Sequence, residues 1–239
     1  MNLSRPQQMT AKFEEKIVHN SKFSQYTFEL DEPHRIPFAA GQYVSIKVDE
    51  RGDRRSYSIC STPDIDHGFE LLIDLAPQGL GVKYLESLKF GDTVQILGPM
   101  GMFVVPDDPT EENLVFIATG AGIAPIKAMI LDQLQVKHDQ RPIILYWGLR
   151  YERDAFWFLE LQELSQSFPN FSFHPVMSRP ENADWVLCRG RVTDCLVNHP
   201  LPEKTGYYIC GNAQMLTDVL TILEQKGVEI THLHHEKFY

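Results

Sequence analysis

The chain has 239 residues, 43% of them hydrophobic and 23% charged. This is the composition of a globular protein, long enough for one large or two small domains. A formal net charge of −10 excludes unspecific nucleic-acid binding, which needs basic surface to replace the counterions of phosphate.

The first half reads as β. Residues 12–20, 23–30, 41–48, 56–61, 68–75 and 92–99 are short runs rich in Val, Ile, Tyr and Phe, bounded by Gly, Pro, Asp and Asn. Several alternate apolar with polar at period two, as in a barrel or sandwich. One helix is predicted among them, over 80–88.

The polar stretch "VPDDPTEEN" (105–113) is a linker with two prolines. It predicts domains over 1–108 and 109–239.

Beyond it the grammar changes. "NLVFIAT" (113–119) is continuously apolar, as a strand buried on both faces should be. A helix is predicted over 123–137, with Pro125 in its first turn. The alternation then repeats: strand 142–148 and helix 153–166, strand 170–178 and a short helix near 192–199, strand 206–211 and helix 212–227. Strands alternating with helices predict a parallel sheet covered on both faces.

Such sheets bind ligands at the carboxyl ends of their strands. "TGAGIAP" is one such end. Gly120 and Gly122 permit a sharp turn and close approach, and the amides of the following residues (Ile123, Ala124, with Pro125 behind) open a helix toward a pyrophosphate. Thr119 closes the strand. The stretch is not GxGxxG, because Pro125 stands at the third glycine. Gly148 and Arg150 mark a second strand end, Ser178 and Arg179 a third, and Cys210, Gly211 and Asn212 a fourth, with Met215 one turn on. Each has a plainer alternative: a bare turn, a solvated Arg179, a buried core thiol at Cys210. Several ligand-compatible ends in one sheet point to a nucleotide site.

Cys60, Cys188, Cys195 and Cys210 form no CxxC pair and suit neither zinc nor an iron–sulfur cluster. They read as reduced thiols of a cytoplasmic protein. The N-terminal residues lack the apolar core of a signal peptide, and the longest apolar run, 114–126, is too short for a membrane span. His232, His234 and His235 read as strand side chains rather than metal ligands, so no metal is expected. "FWFLEL" (156–161) reads as a helix stripe packed in the core.

Five motifs, in order, resemble those of the ferredoxin–NADP reductase-like superfamily. "RSYSICS" is similar to its Arg-x-Tyr-Ser-x-x-Ser flavin motif, and "GPMGMF" to the segment that closes its barrel. "GAGIAP" and "CGNAQM" resemble its nicotinamide motifs, and "HHEKFY" its Glu-x-aromatic ending. The resemblance covers nearly the whole chain. It implies a flavin-binding β-barrel followed by a nicotinamide-nucleotide domain.

Roles follow from the same resemblance. Arg55 binds the flavin phosphates, Tyr57 packs on the ring, Ser58 hydrogen-bonds near N5, and the backbone near Ile73 faces the pyrimidine edge. The turn 77–82, with Gly79, Gly81 and Val82, gives amides to the pyrophosphate. Cys210 and Glu236 sit beside the nicotinamide, and Phe238 or Tyr239 shields the flavin. Val82 departs from a frequent serine, Ala121 from a threonine and Asn212 from a proline.

The resemblance therefore implies an enzyme that passes hydride from NAD(P)H to FAD, ahead of FMN, with Ser58, Cys210 and Glu236 as catalytic residues. No Cys-x4-Cys-x2-Cys is present, so the acceptor is expected to be separate: a ferredoxin or an oxygenase component. Two alternatives stay open: a flavin reductase that uses free flavin as substrate, which Val82 favours, and a non-catalytic flavoprotein subunit or redox sensor. Arg51 and Arg54 read as solvated or as a docking edge. Arg179 is a candidate for a 2′-phosphate with no second basic residue placed beside it, while Arg189 and Arg191 have no assigned position.

Overall fold

The structure, a computed structural model, describes residues 3–182 and 184–238. The chain divides into two compact units. One runs to Pro106 and includes Lys127–Lys137; the other comprises Asp107–Ile126 and the chain from His138.

The first unit is built on six antiparallel strands: β1 (Gln7–Val18), β2 (Phe23–Glu32), β3 (Tyr43–Lys47), β4 (Arg54–Ser58), β5 (Gly68–Asp74) and β6 (Thr93–Met100). They lie in the order β4-β3-β6-β1-β2-β5. The two ends meet where Ile59 bridges Leu71 and the Cys60 amide donates to the Glu70 carbonyl at 2.9 Å, closing a barrel. Alternate residues point inward, among them Ala11 and Phe13 on β1 and Tyr26, Phe28 and Leu30 on β2. Phe28 stacks on Phe69 with centroids 5.6 Å apart. Each such ring contributes about 1.5–3 kcal/mol by leaving water. Helix α1 (Leu80–Ser87) seats Leu85 on this core, and its Glu86 accepts from Tyr26 Oη at 2.7 Å.

Strand β1 starts five residues earlier than its pattern predicts. Its first residues pair as Gln7–Ala11 with Gly98–Val94 of β6, and Met9 and Ala11 extend the inward alternation back from Phe13. Arg54 also differs from expectation. It is half-buried, and its Nη1 donates to the Ser45 carbonyl at 2.7 Å across the strand pair.

The second unit carries a fully parallel sheet. Its strands are β7 (Asn113–Thr119), β8 (Ile143–Leu149), β9 (Phe171–Met177), β10 (Cys188–Arg189), β11 (Thr205–Asn212) and β12 (Leu233–Phe238). They lie in the order β10-β9-β8-β7-β11-β12. The helices are α2 (Ile123–Leu131), α3 (Phe158–Ser167), α4 (Val192–Asn198) and α5 (Ala213–Gln225). The chain steps outward from β7 to β10, then returns to β11 on the other side. The switch point therefore falls between β7 and β11, where an open α/β sheet leaves its ligand crevice.

Two predicted helices are shorter than expected. The one predicted from 123 leaves the α form at Asp132 for a π-helical turn, Asp132–Val136. The one predicted from 153 begins at Phe158, so Phe156 and Trp157 precede it and Leu159 is 70% exposed. Ring contacts explain this. Phe156 meets Trp147 edge-on at 5.3 Å and Trp157 at 4.9 Å, holding the approach in a turn. Among the described residues no helix is long and apolar enough to cross a membrane.

Candidate functional site

In the first unit the candidate flavin residues centre on β4. Arg55 and Tyr57, two residues apart, share a face. Over them lies the first turn of α1. A Cβ on Gly81 would stand 2.1 Å from Tyr57 Oη and 2.9 Å from Arg55 Cγ, so glycine is what lets the helix approach. Gly79 caps α1 with no side-chain hydrogen bond, leaving the helix start open to an anion. Arg55 is exposed, and its Nη1 donates to the neighbouring Arg54 carbonyl at 2.7 Å. Burial pushes the Tyr57 hydroxyl up to about 12, against a downward pull from Arg55. Tyr57 and Val82 both pack against the barrel core. Ser58 is buried at the end of β4, and the Ile73 side chain lies in the core, leaving its backbone for any ligand.

In the α/β unit, three strand ends converge on Thr119. A Cβ on Gly148 would lie 3.0 Å from Thr119 Cγ2, and one on Gly211 would lie 2.2 Å from Thr119 Oγ1 and 2.4 Å from Met215 Cε. Thr119 Oγ1 is buried and has no hydrogen-bond partner among the described residues. Such an orphaned hydroxyl at a strand end fits a site that expects a ligand. Gly120 takes φ +54, the left-handed region, to turn the chain into α2. The side chains of Ile123 and Ala124 are fully buried, so only their backbone is available. A Cβ on Gly122 would meet the Cys210 carbonyl oxygen at 2.2 Å, which brings the two glycine motifs into direct backbone contact.

Cys210 stands opposite Ala118 on one side and Glu236 on the other. Its thiol is fully buried and held well above its usual range, first by burial and then by the Glu236 carboxylate. It is a neutral, shape-defining group rather than a thiolate. Asn212 does what a proline could not: its Oδ1 accepts the Met215 amide at 3.0 Å and caps α5.

At the far strand ends, Ser178 Oγ donates to the Leu149 carbonyl at 3.2 Å, and the Arg179 amide donates to the Arg150 carbonyl at 2.9 Å. Arg150 and Arg179 are both exposed. A second basic residue is thus placed beside Arg179, contrary to the sequence expectation. Arg189 is committed to the Trp185 carbonyl, and Arg191 opens α4 with its amide on Asp194. The expected shielding by Tyr239, and the ring of Phe238, lie outside what the structure describes. The Phe238 backbone pairs opposite Asn212.

Sequence reasoning missed Glu111. It falls in the stretch read as an acidic linker, yet it is 1% exposed. Its Oε2 accepts from Tyr208 Oη at 2.6 Å, and its Oε1 lies 2.7 Å from His234 Nε2. No local signal marks it, because both partners are about a hundred residues away.

Both halves match known families: residues 10–105 the oxidoreductase FAD-binding domain, residues 116–221 the oxidoreductase NAD-binding domain. Among curated proteins, the chain is 29% identical to a component of the Na(+)-translocating NADH-quinone reductase of Yersinia enterocolitica, over 95% of this chain and 68% of that protein. It is 37% identical to the corresponding component from Neisseria gonorrhoeae, over 79% of this chain and 49% of that protein. The chain thus spans about half to two thirds of the length of these relatives. A crystal structure of an Amycolatopsis cytochrome P450 reductase superposes with a TM-score of 0.88 at 28% identity, covering 98% of this chain and 70% of that one. A ferredoxin NADP+ reductase from Neisseria gonorrhoeae shares the fold with a TM-score of 0.83 at 24% identity, covering 97% and 99%. An FAD-binding domain followed by an NAD-binding domain makes this chain a member of the ferredoxin–NADP reductase-like oxidoreductases.

Proposed function

We propose that the chain transfers a hydride from NAD(P)H to FAD and delivers the electrons to a separate acceptor, with residues 1–108 serving the flavin and 109–239 the nicotinamide nucleotide. FAD supplies the redox chemistry, accepting two electrons as hydride and releasing them singly or together. The chain supplies binding, orientation and charge. Arg55 and the open start of α1 hold the pyrophosphate. Tyr57 gives the ring a flat apolar support, and Ser58 offers a hydroxyl at N5. On the nicotinamide side, the Gly120–Gly122 turn takes the phosphates, while Cys210 and Glu236 bound the space for the ring. Exposed Arg150 and Arg179, joined through their backbones, support a 2′-phosphate contact.

The observation that carries this reading is the pair of glycine approaches. Gly81 lets the first turn of α1 pack closely on Arg55 and Tyr57, and Gly122 brings its turn against Cys210. A side chain at either position would collide with the protein's own atoms and part the helix start from the strand it packs on. The relatives include a quinone reductase component and a cytochrome P450 reductase, which supports an electron-delivering role with the acceptor set by the partner; a ferredoxin or an oxygenase component fits equally.

The test is a steady-state assay with NADH and with NADPH, with and without added FAD and FMN, using a one-electron dye. Dye reduction that needs FAD only in stoichiometric amount supports the reading. Oxidation of NAD(P)H that scales with free flavin supports the second reading, in which flavin is a diffusible substrate. Val82 favours that alternative: it packs on the barrel core and offers no hydroxyl to a pyrophosphate. Absence of activity under every combination would refute both.

A further inference from the structure

On one face of the parallel sheet, two cross-strand rows lie next to each other. Phe116, Tyr208 and His234 stand side by side on β7, β11 and β12; two residues further on, Ala118, Cys210 and Glu236 form the next row. Two strand residues advance roughly 6.6 Å. The first row is an aromatic stack, with centroids 5.1 Å apart for Phe116 and Tyr208 and 4.6 Å apart for Tyr208 and His234. Glu111 closes it, with one carboxylate oxygen on Tyr208 Oη and the other on His234 Nε2. Gly206 makes the room: a Cβ there would lie 2.2 Å from Glu111 Oε2. Arg141 anchors the Glu111 backbone, its Nη1 donating to that carbonyl at 3.0 Å while Nε and Nη2 grip Asp139.

Strand β12 is at the edge of the sheet and pairs with β11. Ladder hydrogen bonds alone do not choose among registers, and a one-residue slip would turn both His234 and Glu236 to the opposite face. The buried carboxylate does choose, because both its oxygens meet donors only when His234 stands beside Tyr208.

We propose that Glu111 is a positioning residue of the nicotinamide half-site: acting through Tyr208 and His234, it holds β12 in the register that sets Glu236 across from Cys210. This rests on the proposed role of Glu236 beside the nicotinamide.

The experiment uses the full chain with saturating FAD, ferricyanide as acceptor, and NADH with and without deuterium at C4. His234→Phe keeps a stacked ring and removes the donor. Glu111→Gln keeps the shape and removes the charge, and carries the same comparison should His234→Phe not fold. His234→Phe is expected to lower kcat about tenfold and raise the isotope effect, with KM changing less than about threefold; Glu111→Gln falls between it and the unaltered protein. Combined with Glu236→Gln, His234→Phe should add no further loss, because both act through one carboxylate. Full additivity, or an unchanged kcat with only a lower thermal midpoint, overturns the inference and leaves Glu236 untouched. A normal rate in Glu236→Gln alone overturns the role of Glu236 and the inference together.

Discussion

The Cα of Gly122 packs against the carbonyl of Cys210, so closely that a Cβ would stand 2.2 Å from the oxygen and 2.5 Å from the carbon. These atoms are backbone and cannot swing aside like a flexible side chain. Gly122→Ala must therefore part β11 from the start of α2, at a cost of about 1–3 kcal/mol, typical of overpacking. The expected result is a KM for NAD(P)H raised about tenfold or more, with FAD affinity unchanged, read by steady-state kinetics and a flavin titration.

Arg55 carries the fixed positive charge of the proposed flavin site. Arg55→Ala should weaken FAD binding about tenfold, near 1.4 kcal/mol, and flatten its dependence on salt. The same change removes the downward pull on Tyr57, whose hydroxyl burial already pushes up to about 12. Phenolate formation at Tyr57 should then move higher still, visible as a difference in alkaline ultraviolet absorbance between Arg55→Ala and its Tyr57→Phe double variant. An unchanged titration would contradict the contact.

His174 sets an acid limit on the second unit. Burial first, and then the nearby His199, hold it below its usual 6.5. Its ring stacks on Tyr146 at 5.1 Å, and the Tyr146 hydroxyl meets His199 Nδ1 at 3.2 Å. The unfolded chain takes up the proton near 6.5 while the folded one resists. Stability is therefore full above about 6.5 and declines as pH falls below it toward the lowered value, at most about 1.4 kcal/mol per pH unit for one group. In urea unfolding, His174→Phe should lose part of that decline; parallel pH curves for variant and parent would exclude His174 as its source.

Coenzyme choice tests the far strand ends. Arg179→Ala and Arg150→Ala should each reduce kcat/KM for NADPH with little effect on NADH. A tenfold selective loss corresponds to about 1.4 kcal/mol of transition-state binding. Equal loss with both coenzymes would remove the 2′-phosphate from the account.

Much of this architecture was legible because local chemistry and tertiary role coincide. Gly120 and Gly122 end an apolar strand and begin a helix, and the fold uses them there. The β-rich first half and the alternating second half produce separate sheets. The failures have a common cause. Phe156 and Trp157 have helical spacing with Leu161, but the ring contacts of Phe156 with Trp147 and with Trp157 keep them out of α3. Glu111 sits among acids and prolines and looks solvated, yet Tyr208 and His234 draw it inside. Arg150 comes beside Arg179 only through pairing of adjacent strands. In each case the deciding partner is distant in sequence, and no window of periodicity reaches it.

The barrel seam has a consequence for how the protein is loaded. Strand β4 shares five residue pairs with β3 but touches β5 through the Ile59–Leu71 bridge and the Cys60–Glu70 bond beyond it. The strand proposed to grip the flavin is thus the most lightly stitched, and thermal breathing should begin there. A ligand seated across it acts as a rivet, adding about 2.7 kcal/mol at a hundredfold excess over its dissociation constant. Flavin-starved chains would then be nicked by protease near residues 54–61, and cofactor supply would govern how long each molecule survives.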